Sequence, residues 1–284
     1  MSVSVTSFFH QQSATFCYLV CCLNTGSAII IDPPADFDAP SGTLSFTTAN
    51  KIIDYIHANK LKLEWLLETH AHADHITAAS YIKHKLGSTH PCKLGTGAGI
   101  TQVQDYFSQL YQIDMPCDGS PFDELFNDNS HYPFGECQFG VLTTPGHTPD
   151  SVCYLIDDNV FVGDTFFMPD SGTARCDFPG GSAKKLYESL QKILSLPEYT
   201  IMWMCHDYQP NGRKLANKTT VAEQRLTNVH LQSSKQAYIE TRESRDATLS
   251  APKLLHPAIQ MNIRAGALPK ELTPQLTIPL TVLL

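Results

Sequence analysis

Six consecutive residues, His70 to His75, hold three imidazoles and one carboxylate directly after the apolar stretch 62–68. Imidazole and carboxylate groups are ligands of divalent metal ions at neutral pH. Residues that alternate as the chain leaves a strand can point His70 and His72 into one pocket, with Asp74 and His75 at the start of the following helix. The sequence therefore predicts a metal site at the end of a buried strand.

Three more residues of ligand type each follow a predicted strand, and small residues close by allow the backbone to approach a ligand. They are His147 after 137–143, Asp164 after 159–163 and His206 after 199–204. Sites in α/β proteins usually form at strand ends. We expect these side chains to meet the histidine cluster at one edge of the fold.

Strands and helices alternate along the 284 residues in two halves without an obvious linker. Hydrophobic periodicity and turn residues predict further strands at 14–23, 27–32 and 151–156, helices at 49–59, 75–86, 98–112 and 183–195, loops at 34–47, 117–136 and 168–181, and a polar helix at 219–246. This order predicts one α/β domain over residues 1–284, with a core at about 14–210 and a C-terminal appendage at about 215–284.

Charge and cysteine content exclude several classes of protein. Twenty basic against 28 acidic residues give a net charge of −8, which argues against nucleic acid as a partner. The apolar runs are far shorter than the ~20 residues that span a bilayer, so no membrane association is expected. Nine cysteines without a CxxC motif favour reduced thiols and a cytoplasmic location. The apolar residues 275–284 would need cover, which suggests a homodimer.

The motif at 70–75, followed in order by His147, Asp164 and His206, resembles the metallo-β-lactamase superfamily over roughly residues 14–210. This resemblance implies an α/β fold of the αββα sandwich type, in which two packed mixed β-sheets are flanked by helices. It also implies a metal site at one edge of the sandwich.

A finer resemblance lies in the segment 172–181, in Cys205-His206-Asp207-Tyr208, and in the tail at 256–264. These segments are similar to the persulfide dioxygenases (sulfur dioxygenases) of bacterial type. The resemblance implies one Fe(2+) held by His70, His147 and Asp164, a set that leaves open positions for a substrate sulfur and O2. The remaining ligand types orient this set or hold a second metal: His72, Asp74, His75 and His206. The implied substrates are O2 and glutathione persulfide, or a related low-molecular-weight persulfide, and the products are sulfite and glutathione.

Two residues near these motifs, Arg175 and Tyr208, are candidates for contact with the substrate. Arg175 is expected to bind a glutathione carboxylate or to pair internally with Asp177. Tyr208 is expected to place its hydroxyl near the bound sulfur or to pack as a buried aromatic. Catalysis would then be centred on the iron, with support from Tyr208 and Asp177.

Other functions use the same residues. In a glyoxalase II-like thioester hydrolase, two Zn(2+) ions would be held by His70, His72 and His147 and by Asp74, His75 and His206, with Asp164 bridging them and a metal-bound hydroxide attacking the carbonyl. A metal-binding sensor without catalysis is less favoured, because the ligand set is intact. A nuclease is disfavoured, since no basic stripe is present.

Overall fold

The computed structural model describes residues 2–87 and 91–267, and the apolar segment 275–284, on which the expected homodimer rests, lies outside the described residues. The strands are β1 (Val3–His10), β2 (Thr15–Cys22), β3 (Ser27–Ile31), β4 (Pro34–Asp38), β5 (Thr43–Ser45), β6 (Lys62–Leu67), β7 (Ile76–Thr77), β8 (Lys93–Gly97), β9 (Glu124–Phe126), β10 (His131–Phe134), β11 (Cys137–Thr143), β12 (Val152–Ile156), β13 (Asn159–Phe161), β14 (Ile201–Trp203) and β15 (Lys218–Thr220). The helices are α1 (Thr47–Ala58), α2 (Ala79–Leu86), α3 (Ile100–Tyr111), α4 (Ala183–Leu194), α5 (Val221–Thr227), α6 (Lys235–Asp246) and α7 (Leu255–Asn262), with a 3-10 turn at Pro210–Gly212.

Two mixed sheets form the centre of the fold. The first has the order β1-β2-β3-β6-β8-β9, and the second has the order β10-β11-β12-β13-β14-β15. Strands β3, β6, β8 and β9 run parallel to one another, as do β13 and β14, while the other neighbours in the two sheets are antiparallel. A small third sheet joins β5, β4 and β7.

Strand β2 shows why the two sheets pack face to face. Each of its residues is buried, so both faces of the strand contact other parts of the protein. Alternate side chains belong to different cores, as the two-residue period of a strand requires. Cys17, Leu19 and Cys21 pack with the helices α1, α2, α3 and α7, and Phe16, Tyr18, Val20 and Cys22 pack with the second sheet.

A third core lies on the outer side of the second sheet, where α4 packs with its predicted apolar face of Leu186, Leu190 and Ile193. The predicted cap is also present, since Ser182 Oγ accepts a hydrogen bond from Lys185 N–H at 3.3 Å. Helices therefore cover both sheets, and the expected αββα sandwich is confirmed.

The strand ends that precede the predicted ligands lie at one edge of this sandwich. Strands β11, β13 and β14 run in the same direction within the second sheet, and β6 approaches the same edge from the first sheet. Hydrogen bonds join the sheets there: Val152 N–H donates to Thr69 O at 2.9 Å, and Phe16 N–H donates to Cys205 O at 2.7 Å. The first bond places the segment after β6 against β12, and the second places the segment after β14 against β2.

Several predicted loops contain strands. The segment 34–47 holds β4 and β5, and the segment 117–136 holds β9 and β10. β1 is also absent from the predicted strands. It is held by pairing with β2 along its whole length, from Val3 opposite Cys22 to His10 opposite Thr15. Such strands depend on partners distant in sequence more than on their own apolar pattern.

The predicted helix 219–246 is wrong as a single element. Thr219 lies in β15 and pairs with Met202 of β14. Thr220 then caps α5 by accepting a hydrogen bond from Glu223 N–H at 3.2 Å. Ser234 caps α6 in the same way, with Ala237 N–H as donor at 3.3 Å. Because Ser and Thr side chains can bond the backbone, they begin new helices within a polar run. Within residues 2–87 and 91–267, none of the helices combines the length and apolar character that crossing a bilayer requires.

Helix α6 is fastened to the rest of the fold by a buried guanidinium. Arg242 is 1% exposed and donates from Nη1 to Thr173 O at 2.9 Å and to Ala174 O at 3.1 Å. Its Nη2 lies 3.3 Å from Asp246 Oδ1, and that carboxylate also accepts a hydrogen bond from Cys176 N–H at 2.8 Å. The helix thus holds the segment 173–176 in place.

Replacing Arg242 with Ala should lower the free energy of unfolding by roughly 3 kcal/mol, because it leaves Asp246 buried with a weaker countercharge and two carbonyls without donors. Urea denaturation followed by circular dichroism measures this. Arg245→Ala, a half-exposed arginine on the same helix, is the control and should cost less than about 1 kcal/mol. Equal losses in the two variants would contradict the fastening role.

Candidate metal centre

The backbone of the histidine motif is held by two buried carboxylates. Asp32 accepts hydrogen bonds from Thr69 N–H at 2.7 Å and from Thr69 Oγ1 at 2.8 Å. Asp150 accepts one from Ala71 N–H at 2.7 Å. Asp32 and Asp150 are 2% and 1% exposed, and they follow β3 and precede β12, respectively. The segment after β6 is therefore fixed from both sheets.

A third anchor comes from the C-terminal helix α7. The Asn262 side-chain amide donates to His72 O and to His75 O, each at 2.8 Å, and its Oδ1 accepts from Thr77 N–H at 2.9 Å. The expected helix at 75–86 begins only at Ala79, because Ile76 and Thr77 pair with β4. The motif thus runs through an extended segment clamped by Asn262.

Three of the predicted ligands converge. One ligand atom each from His70, His147 and Asp164 lies within 4.8 Å of the other two, and all three residues are buried. Asp164 Oδ2 is 3.9 Å from His70 Nε2 and 3.6 Å from His147 Nε2. Gly163, at φ +52°, lets Asp164 reach this position, since a Cβ there would lie 2.7 Å from the Thr69 side chain.

The other ring nitrogen of each histidine contacts the protein. His147 Nδ1 donates to Arg175 O at 2.8 Å, and His206 Nδ1 lies 3.2 Å from Ala14 O. His70 Nδ1 is 3.0 Å from Thr69 Oγ1. Such contacts fix the orientation of the rings and leave Nε2 for a metal ion.

His72 turns its Nε2 away from this group. That atom lies 3.0 Å from Asp32 Oδ1 and 3.5 Å from Glu68 Oε2. Burial lowers the pKa of His72, but the two carboxylates outweigh burial and raise it well above the ordinary value. Burial raises the pKa of Glu68 to about 7. Neither carboxylate is among the predicted site residues. The sequence did hold a signal for Asp32, because it directly follows an apolar strand, as the predicted ligands do.

Asp74, His75 and His206 lie beside the three converging ligands. His206 Nε2 is 3.2 Å from Asp164 Oδ1 and 3.5 Å from Asp74 Oδ2, and His75 Nδ1 is 3.4 Å from Asp74 Oδ1. Burial opposes the charge on His206, but Asp164 and Asp74 outweigh it and raise its pKa to about 9. Burial, with His72 as the next cause, lowers the pKa of His75 to about 4 and that of His70 well below its usual value. In the absence of metal, the raised pKa values of His206 and His72 favour the protonated forms of these two rings, whereas the lowered values of His75 and His70 favour the neutral imidazole.

The chemistry of these atoms fits a metal ion. His70 Nε2, His75 Nε2 and His72 Nδ1 are buried and have no hydrogen-bond partner among the described residues. An unpaired polar atom in a protein interior costs roughly 1–3 kcal/mol. Neutral imidazole nitrogens beside a carboxylate are what a divalent metal ion satisfies.

Arg175 and Tyr208 lie on the walls of a cavity of about 320 Å³ that His147 and Asp164 also line, whereas Asp177 lines a neighbouring pocket. Arg175 pairs with Asp177 through two hydrogen bonds, and its Nη1 donates to Ser250 O at 2.9 Å. Of the two expectations for Arg175, the structure therefore contains the internal pair with Asp177. The expected support of catalysis by Asp177 stays a prediction. The Tyr208 ring stacks on His206 with centroids 5.4 Å apart.

The thiols next to these motifs are protonated at neutral pH. Burial raises the pKa of Cys176 to about 12 and that of Cys205 well above its ordinary value. Because the thiolate is the nucleophilic form, neither group is set up to react.

Comparison with known proteins places the geometry in context. The family model described as "Metallo-beta-lactamase superfamily" matches residues 11–206. The chain is 48% identical over 269 residues to Glyoxylase B2 of Dictyostelium discoideum, covering 93% of this chain and 91% of that protein. It is 28% identical over 267 residues to the mitochondrial persulfide dioxygenase ETHE1 of Mus musculus, covering 93% and 89%. The crystal structure of ETHE1 from Myxococcus xanthus superposes with a TM-score of 0.74 at 27% identity, covering 93% of this chain and 100% of that chain.

Replacing Asp164 with Ala should weaken metal binding by more than about 100-fold, because it removes the only carboxylate of the converging group. Metal content per chain after dialysis against a weak chelator measures this. Asp177→Ala, which removes a carboxylate from the neighbouring pocket that His147 and Arg175 also line, is the matched control and should keep its metal. Full metal content in Asp164→Ala would refute the assignment.

His206 should stabilise the metal-free protein in a pH-dependent way. Its folded pKa of about 9 lies above the ordinary 6.5, so its contribution is complete below pH 6.5 and is lost as the pH rises through 9. Urea denaturation of chelator-treated wild type and His206→Gln from pH 6 to 10 measures the difference, which should shrink by up to about 3 kcal/mol. A difference that is constant over this range would contradict the assigned charge.

Proposed function

The chain belongs to the metallo-beta-lactamase superfamily, and we propose that within it the protein is a persulfide dioxygenase that oxidises glutathione persulfide with O2 at one Fe(2+). The observation that carries this proposal is the convergence of His70, His147 and Asp164 within 4.8 Å. Two histidines and one carboxylate on one face of a metal ion are the ligand set of non-haem Fe(II) oxygenases. The similarity to ETHE1 of mouse and of Myxococcus xanthus supports the proposal.

The two oxygens of Asp164 have different neighbours. Oδ2 lies closest to His70 and His147, whereas Oδ1 lies 3.2 Å from His206 Nε2. At a one-metal site, the His206 ring beside Oδ1 would keep Asp164 oriented toward the ion held with His70 and His147. In the alternative with two metals, His206 would instead be a ligand of the second ion.

The position of His72 supports a one-metal site. The His72 ring lies 4.0 Å from the His70 ring, but its ligand atoms converge with those of Asp74 and His75 or of Asp32 and Glu68 and not with those of His70 and His147. Its short contact to the buried Asp32 holds it in the wall of the site. We assign to it the positioning of the histidine motif.

When bound, Fe(2+) supplies the redox chemistry that joins O2 to sulfur. In the overall reaction, the outer sulfur takes three oxygen atoms, two from O2 and one from water, and gives up four electrons to O2. Glutathione leaves with its thiol hydrogen, and sulfite leaves with the remaining protons. The chain itself positions the reactants, because the open side of the metal group faces the cavity above His147 and Asp164.

Tyr208 and Phe167 form one side of that cavity. The two rings meet edge to face at 5.6 Å, and Tyr208 stacks on His206. Loss of solvent around its hydroxyl, with the carboxylates of Asp164 and Asp74, raises the pKa of Tyr208. The phenol therefore keeps its proton and can donate a hydrogen bond to an anionic persulfide sulfur.

A second candidate is a glyoxalase II-like thioester hydrolase with two metal ions. The seven ligands that it needs are present, and the similarity to a protein named Glyoxylase B2 favours it. In that case, a metal-bound hydroxide would attack the thioester carbonyl. The metal stoichiometry separates the two candidates.

Iron-loaded protein, prepared without oxygen, should consume O2 on addition of glutathione persulfide and form sulfite in equal amount. An oxygen electrode with a sulfite assay in the same vessel measures both. The zinc-loaded protein is the control and should consume no O2, because zinc has no redox chemistry. No uptake by protein with confirmed iron would refute the proposal, and hydrolysis of S-lactoylglutathione by the zinc form would favour the second candidate.

The variant His206→Ala tests the number of metals in the same preparations. At a one-iron site it should keep about one iron per chain, since His206 lies outside the ligand group. Loss of one of two bound ions would support the two-metal hydrolase instead.

A further inference from the structure

One wall of the cavity is formed by the end of α6 and the residues that follow it. This part of the chain is far from the histidine motif in sequence. Arg245, Leu249 and Pro252 line the cavity together with His147 and Asp164. Ser250 O accepts a hydrogen bond from Arg175 Nη1, which ties this segment to the segment after β13. A molecule that reaches the metal group through this cavity therefore passes Arg245.

Two arginines, Arg175 and Arg245, line the cavity, and the guanidinium of Arg175 already bonds other groups of the protein. The Nε and Nη2 edge of Arg175 is taken by the two oxygens of Asp177. Its Nη1 donates to Ser250 O. Arg175 cannot offer a two-bond edge to a substrate carboxylate without breaking this internal pair.

The Arg245 guanidinium makes weaker contacts with the protein than that of Arg175. The Arg245 side chain is 52% exposed, and its Nη1 contacts Asp246 Oδ1 at 3.4 Å. That carboxylate already contacts Arg242 Nη2 at 3.3 Å and accepts a hydrogen bond from Cys176 N–H. Because a long, half-exposed ion pair contributes little stability, the Arg245 guanidinium can turn to a ligand at small cost.

The charges of the site favour such a cation. The metal ion would attract the reacting sulfur, but a carboxylate at the far end of the substrate lies away from the ion, and Arg245 is the cavity cation whose guanidinium is half exposed. We propose that Arg245 binds a carboxylate of the substrate, and that the site therefore selects small thiol derivatives that carry a carboxylate away from the reacting sulfur. This inference rests on the proposed function for the identity of the reacting group.

The test measures binding without reaction. S-methylglutathione, whose sulfur is blocked, and its diethyl ester, in which both carboxylates are masked, are titrated by calorimetry into the protein with its bound metal. Arg245→Gln should weaken binding of S-methylglutathione by about 10- to 100-fold, the usual effect of losing a charge-assisted hydrogen-bond pair. The same substitution should change binding of the diester by less than about 2-fold. Arg245→Lys should recover part of the affinity for the acid.

Arg225→Gln is the matched control, because Arg225 pairs with Glu198 on another surface and its loss changes the net charge equally. It should leave both affinities unchanged. An equal loss for acid and diester in Arg245→Gln would show a structural effect and overturn the inference. Unchanged binding of the acid, or no binding of it by the wild type, would overturn it as well.

The two proposals fail separately. If iron-loaded protein consumes no O2 with glutathione persulfide but the acid and diester respond differently to Arg245→Gln, the carboxylate site stands and the dioxygenase proposal falls. If O2 is consumed but Arg245→Gln binds S-methylglutathione as the wild type does, the dioxygenase stands and the role of Arg245 falls.

Discussion

The buried carboxylate of Asp32 is the contact on which the metal group depends. It accepts both hydrogen bonds from Thr69, the residue before the first ligand, and lies 3.0 Å from the His72 ring. It ends β3 with a positive φ of 52°, a conformation that Asp adopts more readily than most residues. One side chain thus fixes the backbone before His70 and the ring two residues later. The cost of burying it is met by these partners.

The metal ligands and the opposite cavity wall come from different parts of the chain. Ligands at the ends of β6, β11, β13 and β14 are set by the sandwich, whose packed cores leave little freedom to move. The cavity wall opposite them comes from α6 and the residues after it, which are held by Arg242 and by Ser250. Under the two proposals made above, reaction type and substrate choice reside in different parts of the structure, which is the usual way that one fold serves several chemistries.

The local pattern of the sequence predicts an α/β domain with metal-site candidates at strand ends, whereas the sandwich follows only from the resemblance to the metallo-β-lactamase superfamily. His147, Asp164 and His206 each follow an apolar strand, and the apolar face of α4 is visible as Leu186, Leu190 and Ile193. Asp32, Glu68 and Asn262 are not predicted, since their roles depend on contacts between segments far apart in the chain. The strands β1, β4, β5, β9 and β10 are missed for the same reason, as pairing and not composition defines them.

The clamp formed by Asn262 has a consequence for the order of events during synthesis. Its amide bonds His72 O and His75 O across 190 and 187 residues of chain. The histidine motif leaves the ribosome long before its clamp exists, so the early chain carries imidazoles that are not yet held in register. The backbone of the motif therefore takes up its final hydrogen bonds only after α7 has been made and has docked.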